Sequence, residues 1–326
     1  MNNKKLNRTE RAARSEVLEA MAAKIAESAA QLKQLQDCSP EEARAMRLER
    51  GNPFAPAACE GVEVIASAIP LANHSVPVRR YYPEGYVGEE LPALVYYHGG
   101  GYVLGDVAQY DTLTQQIAHL ANCIVVSVDY RLSPEVKSAQ IFEEAFEVYR
   151  WLRMNGGEWG IDTNRIAVGG DSAGGNLSVA VCLSCKEDGY RQPDFQLLLY
   201  PAADYSLSFP SMDEFAEGYF LTKAGIVWFQ EHFLEDASRT LDPKVSPLFA
   251  DLDGLAPAFV LTAGFDPLRD EGEALADKLA VAGVPVRHVC YTDMIHAFIS
   301  FAGGIEAGME ALEESATELK RAFGTL

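Results

Sequence analysis

Short apolar runs, separated by segments of helical periodicity, dominate the chain from residue 61 onward. The first runs follow one another closely, and after them apolar runs alternate with stretches in which apolar residues recur every three or four positions. This alternation predicts an α/β fold with a mostly parallel, eight-stranded sheet that carries helices on both faces. The predicted strands are residues 61–69, 76–82, 93–98, 123–130, 165–169, 194–200, 258–263 and 286–291.

Two segments depart from this rhythm. Residues 9–36 carry apolar side chains at helical spacing, and after a break Ser39 has the pattern of a helix N-cap. Residues 203–247 are rich in aromatic side chains and follow no strand–helix alternation. We interpret residues 1–52 as an N-terminal helical segment and residues 53–326 as the main domain, which includes the aromatic segment.

Composition narrows the class of protein. A length of 326 residues with 48% apolar residues suits one large domain. The formal net charge of −20 disfavours nucleic acids and anionic membrane surfaces as partners, because both are polyanions. The sequence shows no run of about 18 apolar residues that would predict a membrane span. It also shows no secretion signal, so a cytoplasmic location is expected.

The six cysteines are scattered along the chain. Cys182 and Cys185 form a Cys-x-x-Cys pair, but no second pair accompanies it, and it falls in a predicted helix. We interpret these residues as buried thiols of a reducing compartment rather than as a metal or redox site. No metal site is predicted.

A Gly-x-Ser-x-Gly motif, GDSAG, occupies residues 170–174. It lies between a predicted strand and a helix-forming stretch, so Ser172 is expected on a tight strand-to-helix turn. The flanking glycines suit this turn, because a β-carbon at either position would clash where the helix passes the strand. The turn directs the hydroxyl toward backbone amides that can stabilise a negative charge. Ser172 is therefore the candidate nucleophile.

A second glycine-rich motif lies upstream of the first. His98 is followed by Gly99, Gly100 and Gly101, directly after a predicted strand. Taken alone, these glycines are equally typical of a flexible turn. Beside the serine motif they predict an oxyanion hole, formed by the amides of Gly99, Gly100 and Gly101, chiefly the last two, and by the amide of Ala173. His98 is expected to brace the loop rather than to react.

A histidine must follow the nucleophile as the base in hydrolases of this type. His296 lies in a loop just after the predicted strand 286–291 and can reach back over the strand ends. His288 lies inside that strand and is expected to be a half-buried sheet residue. His296 is therefore the predicted base.

An acid must orient that base. Asp266 stands just beyond the predicted strand 258–263, at the edge where ligand sites of open α/β sheets lie. Asp270 and Glu271 come next and are expected in the first turn of a helix, where acids favour the helix dipole. Asp266 is therefore the predicted acid.

Together these motifs resemble the bacterial hormone-sensitive-lipase-like esterases of the α/β-hydrolase fold, in the branch with the GDSAG sequence. The resemblance implies a carboxylesterase that acts on small acyl esters without a cofactor, through a triad of Ser172, Asp266 and His296. It also implies a helical cap over the site, built by residues 1–52 and 203–247. The matching motifs are HGGG at 98–101, DYRLSPE at 129–135, GDSAGGN at 170–176, DPLRDE at 266–271 and HAF at 296–298.

The role of the N-terminal helices has other interpretations. They could pack on the body of the protein without covering the site. A helix lying on a membrane surface is a third interpretation, which the acidic residues of the segment disfavour. Pairing of edge strands into dimers is common in the family, so the resemblance makes a homodimer one candidate assembly, while the sequence does not reveal the oligomeric state.

Two further classes of function stay open. The same triad could hydrolyse an amide, as an amidase or N-deacetylase, because His296 could protonate a leaving amine. The chain could also bind a small molecule without catalysis, as plant hormone receptors of this fold do. The function we predict is that of a serine carboxylesterase for short- to medium-chain acyl esters, working through an acyl-enzyme intermediate.

Overall fold

The computed structural model describes residues 8–9 and 14–326, and its centre is a nine-stranded sheet. The strands are β1 (Arg8–Thr9), β2 (Glu63–Pro70), β3 (Ser75–Tyr82), β4 (Leu91–Tyr97), β5 (Ile124–Val128), β6 (Ile161–Asp171), β7 (Gln196–Leu199), β8 (Ala258–Phe265) and β9 (Val286–Ile295). Their order across the sheet is β1-β9-β8-β7-β6-β4-β5-β3-β2. β3 runs antiparallel to both of its neighbours, and all other neighbouring pairs are parallel.

The eight predicted strands are confirmed as β2 to β9, and so is the mostly parallel sheet. The structure adds β1, which pairs in parallel with β9 through Arg8 and Arg287 and through Thr9 and His288. Two residues are too few to show the alternation of apolar and polar positions that indicates a strand. The sequence therefore contained no signal for β1.

Helices cover both faces of the sheet. Within the described residues they are α1 (Ala20–Ala30), α2 (Pro40–Arg50), α3 (Asp111–Ala121), α4 (Ser138–Asn155), α5 (Ala173–Glu187), α6 (Pro210–Glu214), α7 (Lys223–Phe233), α8 (Arg269–Val281) and α9 (Glu306–Phe323). Buried apolar residues of α4, α5 and α8 pack on one face, and those of α3 and α9 pack on the other. No helix within residues 14–326 combines the length and apolarity needed to cross a bilayer.

The helix predicted over residues 9–36 is shorter in the structure. Only α1 is α-helical there, with a single 3₁₀ turn at Leu35–Asp37, while residues 10–13 lie outside the described part. The chain turns after α1, and the side-chain amide of Gln34 donates to the carbonyl of Leu32 at 2.7 Å. This bond satisfies a backbone group that a longer helix would have paired internally.

The predicted N-cap of α2 is confirmed. The Ser39 hydroxyl accepts the amide hydrogen of Glu42 at 3.2 Å, and the Glu42 carboxylate accepts the amide hydrogen of Ser39 at 3.0 Å. This reciprocal pair is a capping box, which satisfies two of the amides left unpaired at a helix start. Local sequence alone is enough to specify it.

Candidate active site

Ser172 lies at the turn between β6 and α5, with backbone angles φ 56° and ψ −117°. A positive φ is costly for a residue with a side chain, so the surrounding structure must hold this turn. The Ser172 amide donates to the carbonyl of Leu199 in β7 at 2.8 Å. A β-carbon at Gly170 or Gly174 would lie 2.1 or 1.8 Å from the carbonyl oxygen of Tyr97. The glycines of the motif are therefore required by close packing of the turn against β4.

The structure brings the three predicted triad residues into one hydrogen-bonded chain. The Nε2 atom of His296 lies 3.0 Å from the hydroxyl oxygen of Ser172. Its Nδ1 atom lies 2.7 Å from Oδ2 of Asp266, which is fully buried. The other carboxylate oxygen of Asp266 accepts the amide hydrogen of Leu268 at 2.9 Å. Asp266 and His296 directly follow β8 and β9, so the parallel strands deliver both to the same edge of the sheet.

The histidine ring is also packed from one side. The ring of Tyr200 meets it edge-to-face, with centroids 4.9 Å apart. His296 itself is 5% exposed, so few ring orientations are open to it. The other histidine considered from the sequence, His288, is buried in β9, where its Nε2 lies 2.9 Å from the Thr262 hydroxyl. It belongs to the sheet, as predicted, although it is buried more completely than expected.

Two of the three glycines predicted to form the oxyanion hole, Gly100 and Gly101, line the cavity next to Ser172. Within the described residues, no protein acceptor binds the amides of Gly100, Gly101 or Ala173. The amide of Gly99, however, donates to the buried carboxylate of Asp171 at 2.8 Å. The prediction that Gly99 is an oxyanion donor was therefore wrong, because its hydrogen already has a charged acceptor.

Close packing keeps the loop in place. Gly100 has φ 113°, and a β-carbon there would lie 2.2 Å from the carbonyl oxygen of Leu104. Gly101 has φ 60°, and its β-carbon would lie 2.3 Å from the ring of Phe229 in α7. Both positions need glycine for backbone conformation and for space. The loop is therefore not the flexible turn that glycine content alone would allow.

His98 braces this loop from inside, as predicted. Its ring is fully buried and stacks on Tyr130 with centroids 4.5 Å apart. Its Nδ1 atom lies 2.7 Å from the carbonyl oxygen of Gly99. Burial lowers the pKa of His98 to about 4, so the ring is neutral at pH 7 and donates this bond from Nδ1.

Asp171 contacts the glycine loop and was not among the site residues predicted from the sequence. Its Oδ1 atom accepts hydrogen bonds from the Tyr96 hydroxyl at 2.7 Å and from the Gly99 amide. Its Oδ2 atom accepts a weaker bond from the Tyr110 hydroxyl at 3.3 Å. Burial raises the pKa of Asp171, and these donors act against that rise. Its position next to Ser172 in the GDSAG motif indicated that Asp171 lies near the site. Nothing in the sequence indicated that its carboxylate contacts the glycine loop.

Glu271 not only lies at the start of a helix, as predicted, but also binds backbone amides at the start of the aromatic segment 203–247. It lies in the first turn of α8, as expected. Its side chain is 1% exposed and accepts the amide hydrogens of Ala203 at 2.7 Å and Asp204 at 3.2 Å. Burial raises the pKa of Glu271 well above its usual range. The residue therefore fixes the start of the aromatic segment 203–247 beside the nucleophile.

One cavity of about 960 Å³ joins these parts. Ser172, His296, Gly100 and Gly101 line it, together with side chains of α1 and α2 and of residues 202–229. Among the described residues, no group of three or more His, Cys, Asp or Glu side chains is arranged to hold a metal ion. Cys182 and Cys185 are free, buried thiols in α5.

Comparison with known proteins places this architecture in a family. The family model described as the α/β-hydrolase fold matches residues 94–300. Carboxylic ester hydrolase LipN of Mycobacterium tuberculosis is 41% identical over 261 residues, which cover 77% of this chain and 69% of LipN. Carboxylesterase NlhH of the same species is 40% identical over 253 residues, which cover 76% of this chain and 79% of NlhH.

A solved structure agrees with these relatives. An ester hydrolase from the metagenome of Lake Arreo, complexed with a derivative of bipyridine phosphonate, superposes with a TM-score of 0.91 at 36% identity. The match covers 95% of this chain and 100% of that chain. The resemblance drawn from the motifs is thereby confirmed, and the chain belongs to the α/β-hydrolase fold family, in its hormone-sensitive-lipase-like group.

Proposed function

We propose that this protein is a serine carboxylesterase that hydrolyses short- to medium-chain acyl esters. The observation that carries the proposal is the chain of hydrogen bonds from Asp266 through His296 to Ser172, which ends in a cavity beside unpaired backbone amides. The ester hydrolases among its relatives support the same class of reaction.

The first half of the reaction forms an acyl-enzyme. Ser172 Oγ attacks the ester carbonyl carbon while its proton passes to Nε2 of His296, 3.0 Å away. Asp266 holds the Nδ1–H tautomer and stabilises the imidazolium that forms. The carbonyl π electrons move onto the oxygen, giving a tetrahedral oxyanion. When this collapses, the C–O bond to the alcohol breaks, and the alcohol oxygen takes the proton from His296.

The oxyanion is stabilised by the amides of Gly100, Gly101 and Ala173. Among residues 8–9 and 14–326 these three donors have no protein acceptor, and in this proposal the strained turn at Ser172 directs the nucleophile toward them. A preorganised donor of this kind contributes about 3 kcal/mol to transition-state stabilisation. The packing of Phe229 and Leu104 on the loop supplies the preorganisation.

The second half restores the enzyme. Water attacks the acyl carbon as His296 takes its proton, and the acid leaves when the Ser172 oxygen recovers a proton from the imidazolium. His296, Asp266 and the same three amides act in both halves. No metal or cofactor enters this scheme.

Residues 1–52 and 203–247 act in this proposal as a two-part cap. Side chains of α1 and α2 line the cavity from one segment, and Leu207, Ile226 and Phe229 line it from the other. Apolar walls and a volume of about 960 Å³ suit acyl chains of short to medium length.

The first experiment is hydrolysis of a p-nitrophenyl ester series from acetate to palmitate, with Ser172→Ala as the matched control. A rate maximum at short or medium chains that disappears in the variant is the expected result. Turnover by Ser172→Ala near the wild-type rate would exclude Ser172 as the nucleophile. A matched anilide series tests amide hydrolysis on the same triad, and labelling by a fluorophosphonate probe separates an active hydrolase from a non-catalytic binder.

A further inference from the structure

The mouth of the active-site cavity is unusually rich in cations for a protein with a net charge of −20. Lys24 of α1, Arg47 and Arg50 of α2, and Lys33 between these helices all line it. Local charge of one sign around a cleft raises the concentration of ligands of the opposite sign. Residues 24–50 contribute all four of these cations but only one of the four acids that line the cavity, so positive charge is concentrated on the wall formed by α1, α2 and the turn between them.

Most of the acids in the cavity wall already have hydrogen-bond donors. Asp171 is occupied by the Tyr96 hydroxyl and a backbone amide, as described above. Asp204 accepts the hydroxyl hydrogens of Ser206 and Ser208 at 2.5 and 2.6 Å and is 2% exposed. Glu271 is buried against two backbone amides. The remaining lining acid is Glu49, which is exposed on α2.

The cations, in contrast, are largely without counterions. Lys33 lies 3.3 Å from Glu42, and both are solvent-exposed, so this pair is weak. Across residues 14–326, no carboxylate lies within 4.0 Å of the side-chain nitrogens of Lys24, Arg47 or Arg50. Arg44, one turn before Arg47 on α2, is by contrast paired with a carboxylate. Both of its terminal nitrogens donate to Glu135, at 2.7 and 2.8 Å.

Arg47 is linked to the nucleophile turn through hydrogen bonds. Its Nε donates to Gln109 at 2.6 Å, and its Nη2 donates to the Tyr110 hydroxyl at 3.3 Å. Tyr110 also lines the cavity, and its hydroxyl reaches Asp171, next to the nucleophile. The guanidinium is thus fixed by neutral hydrogen-bond partners, and its Nη1 has no protein acceptor within the described chain. The carboxylates of Asp171 and Asp106 interact with its charge from beyond 4.0 Å. A partly buried cation in this state is stabilised by an anionic ligand.

From this arrangement we propose that the preferred esters of this site carry a carboxylate, which Arg47, Arg50 and Lys24 bind at the cavity mouth. The inference rests on the proposed carboxylesterase function and names its substrate class. The net negative charge of the protein does not oppose it, because charges more than about 10 Å away are screened at 0.1 M salt. The carboxylate lies either in the acyl part or in the alcohol part of the ester.

The test compares charged and neutral esters of matched length with the full-length protein. Monoethyl adipate is paired with ethyl heptanoate for an acyl-side carboxylate, and 4-acetoxybutanoate is paired with pentyl acetate for an alcohol-side carboxylate. We expect one charged ester to have a kcat/KM at least equal to that of its neutral partner. We also expect that value to fall about fivefold or more between about 20 and 500 mM salt, while the neutral ester changes little.

Substitutions separate this proposal from a general loss of activity. In Lys24→Gln/Arg50→Gln, the ratio of kcat/KM for the charged ester to that for the neutral ester should fall about tenfold. Arg47→Gln should lower the same ratio. Lys186→Gln, which removes an exposed partner of Asp251 outside the cavity, is the matched control and should leave the ratio as it is.

Two outcomes would overturn the substrate class while leaving the proposed esterase intact. One is that both charged esters react more than about tenfold more slowly than their neutral partners, with salt raising their rates. The other is a charged-to-neutral ratio that the Lys24→Gln/Arg50→Gln variant does not change. Hydrolysis of neither charged nor neutral esters would instead contradict the proposed function itself.

Discussion

The carboxylate of Asp171 accepts the amide hydrogen of Gly99 at 2.8 Å, and this bond joins the nucleophile turn to the glycine loop. The carbonyl of Gly99 is bound in turn by His98. Gly99 is therefore held at both of its polar groups. Within the described residues the next two amides of the loop have no protein acceptor, and in the proposed reaction they bind the oxyanion. The loop is positioned by a residue adjacent to the nucleophile, so the two parts of the site are coupled.

This coupling predicts a specific pattern for substitutions of Asp171. Asp171→Ala removes the acceptor of Gly99 and should lower kcat about a hundredfold with a small effect on KM, because misplaced donors act on the transition state. Asp171→Asn should recover much of the rate, since a single oxygen, Oδ1, accepts both principal bonds. Steady-state kinetics with thermal denaturation as a folding control provide the measurement. Equal kcat values for the two variants would show that the bond does not position the loop.

The strained backbone of Ser172 predicts a difference between two inactive variants. Ser172→Gly and Ser172→Ala both lack the nucleophile, but only glycine adopts φ 56° and ψ −117° without steric cost. The Gly variant should therefore have a free energy of unfolding about 1 kcal/mol higher than that of the Ala variant. Urea denaturation measures this difference, and a more stable Ala variant would contradict the strain argument.

Asp266 should affect the catalytic rate much more than the stability of the folded protein. Asp266→Asn keeps the shape of the side chain but favours the wrong tautomer of His296. We expect kcat to fall by about 10³ to 10⁴ while the melting temperature changes little. A loss of less than about tenfold would indicate that another group orients the histidine.

Close packing at the nucleophile turn predicts a sharp difference between two glycines. A β-carbon at Gly174 would lie 1.8 Å from the Tyr97 carbonyl oxygen, a backbone atom that cannot move aside cheaply. Gly174→Ala should therefore destabilise the protein by about 3 kcal/mol or more, or prevent folding. Gly157→Ala is the matched control, because its β-carbon meets nothing within 4 Å. Similar denaturation midpoints for the two variants would contradict the packing shown here.

The neutral state of His98 predicts an acid-dependent loss of stability. Its pKa is about 4 in the folded protein and near 6.5 when unfolded, so the unfolded state binds more protons between these values. The stability that comes from this histidine is complete above pH 6.5 and is lost as the pH falls toward 4. The loss amounts to about 3 kcal/mol.

His98→Asn provides the measurement. The difference in free energy of unfolding between the wild type and this variant should shrink by about 2 to 3 kcal/mol from pH 7.5 to pH 4.5. His119→Asn, a change of an exposed histidine on α3, is the control for the loss of an imidazole from the surface. A constant difference for His98→Asn would mean that the buried ring takes up its proton at the same pH in the folded and unfolded states.

Much of the architecture could be predicted from the sequence, because strands, caps and tight turns depend on neighbouring residues. Periodicity located β2 to β9, and the Ser39 capping box could be recognised within four residues. The order of strands then placed Asp266 and His296 at one edge, since parallel strands end on the same side of a sheet. The catalytic roles of these residues stay a proposal that the variants above test.

Contacts between residues that are distant in the sequence were decided only by the tertiary structure. Gly99 meets Asp171 across 72 positions, so no local pattern could show that its amide is occupied. The same holds for β1, which exists through its pairing with β9, and for the cations that α1 and α2 bring to the cavity mouth. The sequence by itself determined β2 to β9, the capped start of α2 and the residue types that the site contains. The folded packing determined which donors and charges remain free, because that depends on distances between segments and on burial.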